Sequence, residues 1–141
     1  MDFVFLLGRI LFGSIFIVTG VRHIAEVEAA TKHAVAKNLP QAKNLVMLSG
    51  VTFGLGGIST ILGIYGDLGA LAILLTLIPA TWYFHRFWER TDEMARMMDV
   101  THFLKNLSLM GGSLILFSWF AREGAGDLVP YTITDGFFSF S

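Results

Sequence analysis

Four long apolar stretches constrain this chain more than any other feature of it. They run about 3–24, 45–65, 68–87 and 101–121. A bilayer core about 30 Å thick is crossed by roughly 20 mostly apolar residues in a helix. Within hydrocarbon the backbone must satisfy its own hydrogen bonds, and a continuous helix does so locally. The predicted fold is therefore all-α, an integral membrane four-helix bundle over residues 1–121, with an extramembrane C-terminal tail at 122–141. Composition agrees: 54% of residues are hydrophobic, only 15% are charged, and the mean hydropathy is +0.64. A water-soluble domain carries about 25% charged residues, and the deficit disappears when lipid is the solvent. The lipid bilayer is thus the first expected partner. The first stretch is too long for the apolar core of a signal peptide, and no small-x-small cleavage site follows it, so it reads as a retained helix.

Charge and cysteine usage narrow the chemistry. The net charge of −1 argues against nucleic acid, whose phosphates demand a basic surplus. The chain has no cysteine, which removes disulfides, thiolate metal sites, iron–sulfur clusters and thiol–disulfide exchange.

Basic residues in the short connections set the expected orientation. Arg22, Lys32, Lys37 and Lys43 lie between the first two stretches, and Arg86, Arg90, Arg96 and Lys105 between the last two; only Arg122 flanks a span on the other side. Eight against one places both connections in the cytoplasm and both termini outside. The 25–44 connection favours helix up to Pro40 and is expected along the membrane interface; 88–100 has similar character, and Tyr65–Gly66–Asp67 forms a tight turn.

Helices in lipid associate through close packing and polar contacts. In the second stretch Ser49, Thr52, Gly56, Ser59 and Gly63 share a face, and Gly50 and Gly54 form a GxxxG on an adjacent strip. The fourth contributes Asn106, Ser113 and the pair Gly111 and Gly112. All are expected to pack helices together. Arg9 is sharper, because it lies about 9 Å inside the first span at 1.5 Å per residue. It shares a helix face with Gly13, Phe16, Gly20 and His23. It must snorkel to the headgroups, pair with Asp67 or Glu123, or hold an anionic or quinone head group.

The histidines form a second constellation. His85 ends the third span and His102 begins the fourth, at a common depth, with Trp82 and Trp88 supplying flat apolar surface beside them. These four are the candidate ligand site for a quinone or other redox group. No metal is expected, since no HExxH, CxxCH or ExxH pattern is present.

Several segments together resemble the DoxX family. His85-Arg-Phe-Trp followed by Phe103-Leu-Lys-Asn-Leu-Ser-Leu-Met-Gly-Gly112 is similar to the end of that family's third helix and its fourth. Leu7-Gly-Arg-Ile-Leu-Phe-Gly-Ser-Ile-Phe-Ile-Val-Thr-Gly20 resembles its arginine-bearing first helix, and Gly56-Gly-Ile-Ser-Thr-Ile-Leu-Gly63 its second. The resemblance covers about residues 6–120. It implies a four-helix protein of the bacterial inner membrane, associated with redox and sulfur metabolism, including thiosulfate:quinone oxidoreductase subunits. Many members carry an acidic residue in the second helix, where this chain has none, and the tail here is longer than usual. The expected role is an accessory or anchor subunit of a larger membrane redox complex, with other membrane subunits as partners. The aromatic tail beginning at Leu128, exposed on a monomer, supports this reading. The alternative is a quinone-interacting oxidoreductase subunit, and a transporter ranks third because four spans would need an oligomer.

Overall fold

The computed structural model describes residues 2–123 and 125–140. It contains α1 (Asp2–Ala25), α2 (Val27–Ala36), α3 (Ala42–Leu62), α4 (Gly66–Phe84), a 3₁₀ turn at Phe87–Glu89, α5 (Glu93–Phe120) and the short α6 (Ala125–Leu128). Four of these helical segments are long and apolar enough to cross a membrane. Their outward residues are apolar at mid-length, with Leu11, Leu55, Leu75 and Ile115 each about 60% exposed or more, which suits a lipid surround.

The helices form a ring. α1 packs on α3, α3 on α4 and α4 on α5. Phe5 against Trp119, with ring centroids 5.9 Å apart, and Phe12 against Gly112 close it between α5 and α1. Inside, Phe16, Phe53, Ile73 and Leu77 form the central apolar layer. The α1–α3 contact is the closest. A Cβ at Gly20 would lie 2.6 Å from the Gly50 carbonyl oxygen, and one at Gly57 2.6 Å from that of Gly13. Backbone approach of this kind lets van der Waals attraction hold helices where lipid removes the hydrophobic drive.

The small residues singled out in the sequence do not all serve alike. Ser49 accompanies Gly50 on the α1 side, where its hydroxyl lies 3.0 Å from His23 Nδ1. Gly56 and Ser59 face α4, against Ile73 and Gly69. Gly54 borders the Gly20 backbone, although its own Cβ would meet open space. Gly111 also faces open space, so close packing in that pair falls to Gly112, which lies against Phe12. Gly63 caps α3 in a left-handed conformation, φ 64°, which glycine adopts without the steric cost of a side chain. The turn to α4 is therefore Gly63–Tyr65, two residues earlier than expected. Tyr65, φ 45°, donates its N–H to Thr134 Oγ1 at 2.8 Å.

α5 is one continuous helix that begins two turns before the apolar stretch at 101, because Asp92 caps it by accepting from the Ala95 N–H at 2.8 Å. The other difference is the tail. It is not a free exposed segment: it folds back over the end of the bundle that carries both termini. Ile133 and Thr134 donate to the Gly63 carbonyl, Phe140 N–H reaches the Ala121 carbonyl at 2.8 Å, and Val129 is buried. Tyr131, Ile133, Phe137 and Phe140 remain on its outer surface.

Candidate functional site

Two polar centres occupy opposite ends of the bundle. At the terminal end Arg9 is fully buried and neither snorkels nor meets a carboxylate. Four of the five N–H donors of its guanidinium go to main-chain oxygens. Nε donates to Thr60 O at 2.8 Å, Nη1 to Pro130 O at 2.6 Å, and Nη2 to Ile61 O at 2.6 Å and Tyr131 O at 3.1 Å. The Phe120 ring lies 5.4 Å from its central carbon, within cation–π range. Two of these carbonyls belong to the last turn of α3, where helical partners run out, and two belong to the tail. The expected pairing with Asp67 or Glu123 is not formed. Asp67, also buried, accepts instead from the Phe138 N–H at 2.6 Å. Arg9 and Asp67 are thus two clasps on one tail, and with four donors committed to protein oxygens Arg9 is a structural group.

The opposite end, marked by α2 and the α4–α5 connection, holds a cavity of about 540 Å³. Its walls are apolar side chains of α1, α3, α4 and α5, including Ile15, Phe16, Val46, Phe53, Leu77 and Leu109, with Leu39 from the α2–α3 connection. Small pockets that bind organic ligands span roughly 300–1,000 Å³ and combine such walls with a few convergent polar groups. Here those groups are His23, His33, Ser49, Tyr83, His85, Lys105 and Asn106. The cavity exists because α3 and α4, clamped at the terminal end by Gly56 and Gly69, enclose Leu45–Phe53 and Leu75–Phe84 without a matching glycine contact. Pro79 on the α4 wall removes one backbone donor from the helix. Asn106 is fixed by donating to Thr81 Oγ1 at 3.0 Å, a bond buried between α5 and α4.

Of the four residues proposed as a ligand site, only His85 lines this cavity. His85 and His102 do come together, with centroids 5.1 Å apart and planes at 25°. Stacked imidazoles turn faces to one another while their nitrogen lone pairs lie in the ring planes, so no ion can sit between them. Among the described residues there is no cluster of three or more His, Cys, Asp or Glu side chains suited to a metal. His85 Nδ1 instead stands 3.6 Å from Asp99 Oδ1, and Arg90 Nε donates to Asp99 Oδ2 at 2.6 Å. Arg90 thus holds the Asp99 carboxylate beside the imidazole at the cavity edge, while His85 Nδ1 is buried without a hydrogen-bond partner among the described residues. Trp82 and Trp88 pair with each other, 5.2 Å apart, outside the cavity and largely exposed.

His23, His33, Ser49 and Asp99 stood outside the expected ligand site, Ser49 as a helix-packing residue. His23 carried a legible mark, since it continues the inward face of Arg9, Gly13, Phe16 and Gly20. Asp99 carried none while 88–100 read as a connection.

Comparisons with curated proteins and with solved structures each give no match. The family model for DoxX matches residues 4–86, which is 83 of 141 residues and runs from α1 to just past the end of α4. The matched region contains Arg9, three of the four apolar spans and most of the cavity wall, and on this the chain is a multi-pass membrane protein that belongs to the DoxX family.

Proposed function

We propose that this protein is a small subunit of a membrane redox assembly that holds a lipophilic ring compound of the quinone class in its internal cavity. The observation that carries this reading is the cavity itself: about 540 Å³ of mainly apolar space, with the unpartnered Nδ1 of His85 at its edge and His23 beside Ser49 on the other wall. Quinone carbonyls need donors inside apolar surroundings, and a histidine can supply them. When bound, such a ring supplies two-electron carrier chemistry; the chain's own part is to orient it and exclude water. A chain without cysteine and with no clustered metal ligands among its described residues would exchange electrons through a neighbouring subunit. The accessory-subunit role and the quinone role thereby become one reading. The exposed Phe137 and Phe140 on the tail add apolar surface for such a neighbour.

The test is equilibrium binding of a short-chain benzoquinone or naphthoquinone to the purified protein in nanodiscs. Wild type should saturate at one ligand per chain. Ala80→Trp, which projects bulk from the α4 wall into the cavity, should weaken binding at least tenfold with the helical spectrum retained. Equal affinity in the two proteins would dismiss the cavity as the binding place.

Placement in the membrane follows the eight-to-one charge bias, with α2 and the α4–α5 connection in the cytoplasm of a bacterial inner membrane. Single cysteines at Lys37, Glu93 and Ser139, probed on intact cells with an impermeant thiol reagent, should label only at position 139. Labelling at 37 with protection at 139 would invert the protein.

A further inference from the structure

A second concavity, about 400 Å³, opens at the α2 end between the last residues of α2, the end of α4 and the 3₁₀ turn. It is lined chiefly by polar groups, among them Lys37, Asn38, Arg86, Glu89 and Arg90. The site of the proposed ring compound does not account for it, and the two share only the walls His33 and Tyr83.

The charge arithmetic of this pocket is specific. Arg86 gives Nε to the Trp82 carbonyl and Nη1 to Glu89 at 3.3 Å, while its carbon sits 5.2 Å from the Tyr83 ring centroid. Arg90 gives Nε to Asp99. Arg86 is thus held by a carboxylate and an aromatic ring and Arg90 by a carboxylate, yet each retains N–H groups with no partner among the described residues. Lys37 makes no ion pair or side-chain hydrogen bond among them. Three cations face two carboxylates, which leaves one positive charge, that of Lys37. Two of the last α2 carbonyls are already engaged: Ala34 O accepts from the Lys37 and Leu39 N–H groups, and Val35 O accepts from Asn38. The result is a pre-oriented, singly positive, donor-rich recess at the depth of an interfacial tryptophan pair, Trp82 and Trp88.

We infer that this pocket binds one phosphate diester, the head group of an anionic phospholipid, with Lys37, Arg86 and Arg90 as its donors. A diester without a cationic substituent carries the single net negative charge that matches Lys37, whereas a quaternary ammonium on the same diester would be repelled by it, and planar guanidinium groups match the oxygens in paired geometry. The shared walls His33 and Tyr83 then place the lipid's acyl portion over the mouth of the apolar cavity, in contact with hydrocarbon. This assignment does not rest on the ring-ligand reading, because it follows from a different pocket and a different chemistry.

The experiment is native mass spectrometry of the full chain in mild detergent, titrated with phosphatidylglycerol or phosphatidylcholine of matched chains. Wild type should retain one phosphatidylglycerol with at least tenfold preference. Lys37→Gln combined with Arg86→Gln should abolish the preference, whereas Lys43→Gln combined with Arg96→Gln, which removes equal charge from the same end outside the pocket, should keep it. If both pairs reduce the preference equally, general surface charge explains the binding and the pocket is overturned. A third arm adds inorganic phosphate alone. Retention of phosphate that phosphatidylglycerol fails to displace would identify a free-phosphate site and overturn the lipid assignment.

Discussion

Arg9→Met should unfold the terminal end of the bundle, lowering stability by about 4 kcal/mol. Four carbonyls, those of Thr60, Ile61, Pro130 and Tyr131, lose their donor at once, and each stranded buried acceptor costs roughly 1–3 kcal/mol, partly recovered by relaxation of the tail. Two effects oppose each other. Removing a cation from the span favours insertion by up to about 3 kcal/mol at mid-bilayer, and less near the edge. That gain belongs to membrane insertion, whereas the loss belongs to packing of helices already inserted. Denaturation of the purified protein in mixed micelles reads only the second, so the loss should dominate. Arg9→Lys should fall between, because a single ammonium cannot reach four oxygens fixed by a planar fork. In Arg9→Met the chain from Glu123 to Asp135 should also become open to added protease while wild type resists. A melting midpoint equal to wild type, with a protected tail, would show that the clasp is not what holds the tail.

The second large effect is expected at Gly57. Adding one methyl group there puts a Cβ 2.6 Å from the Gly13 carbonyl and 2.9 Å from an Ile17 side-chain carbon. The obstacle includes backbone, which cannot rotate away, so α1 and α3 must separate and lose contact along their length. Overpacking of a tight contact costs about 1–3 kcal/mol, and Gly57→Ala should sit at the upper end. Gly111→Ala is the internal comparison: the new methyl meets nothing within 4 Å, and alanine favours helix, so stability should hold or rise slightly. Matching denaturation curves for the two variants would refute the close-approach account.

The contrast between those glycines shows what a sequence can carry. Hydropathy made the four helices legible, because lipid demands apolar runs of set length whatever their neighbours. Periodicity marked the inward face of α1: Arg9, Gly13, Phe16 and Gly20 are its buried residues. Gly111 and Gly112 are indistinguishable in a string, and only the ring's geometry turns one toward Phe12 and the other toward open space. The partners of Arg9 were illegible for a different reason. Main-chain carbonyls leave no mark in side-chain identity, so Asp67 and Glu123 stand out in the sequence as partners although the guanidinium goes to backbone oxygens. The cavity was hidden as well. Its wall residues Leu45, Leu48 and Leu75 have the same chemistry as those facing lipid, and a void is a property of how helices diverge.

The clasp at Arg9 also has a temporal side. A chain is made from its N-terminus, and Arg9 enters the membrane with α1, whereas Thr60 and Ile61 are added 51 and 52 residues later, and Pro130 and Tyr131 only 121 and 122 residues later. Until Thr60 and Ile61 are made the cation has none of its four oxygens, and until Pro130 it has at most two. Docking of the tail is then the event that completes the fold, and a ribosome stalled or a chain cut before Pro130 leaves a charged, half-satisfied helix for membrane proteases to find. Arg9 in this way lets the last residues made report on the first.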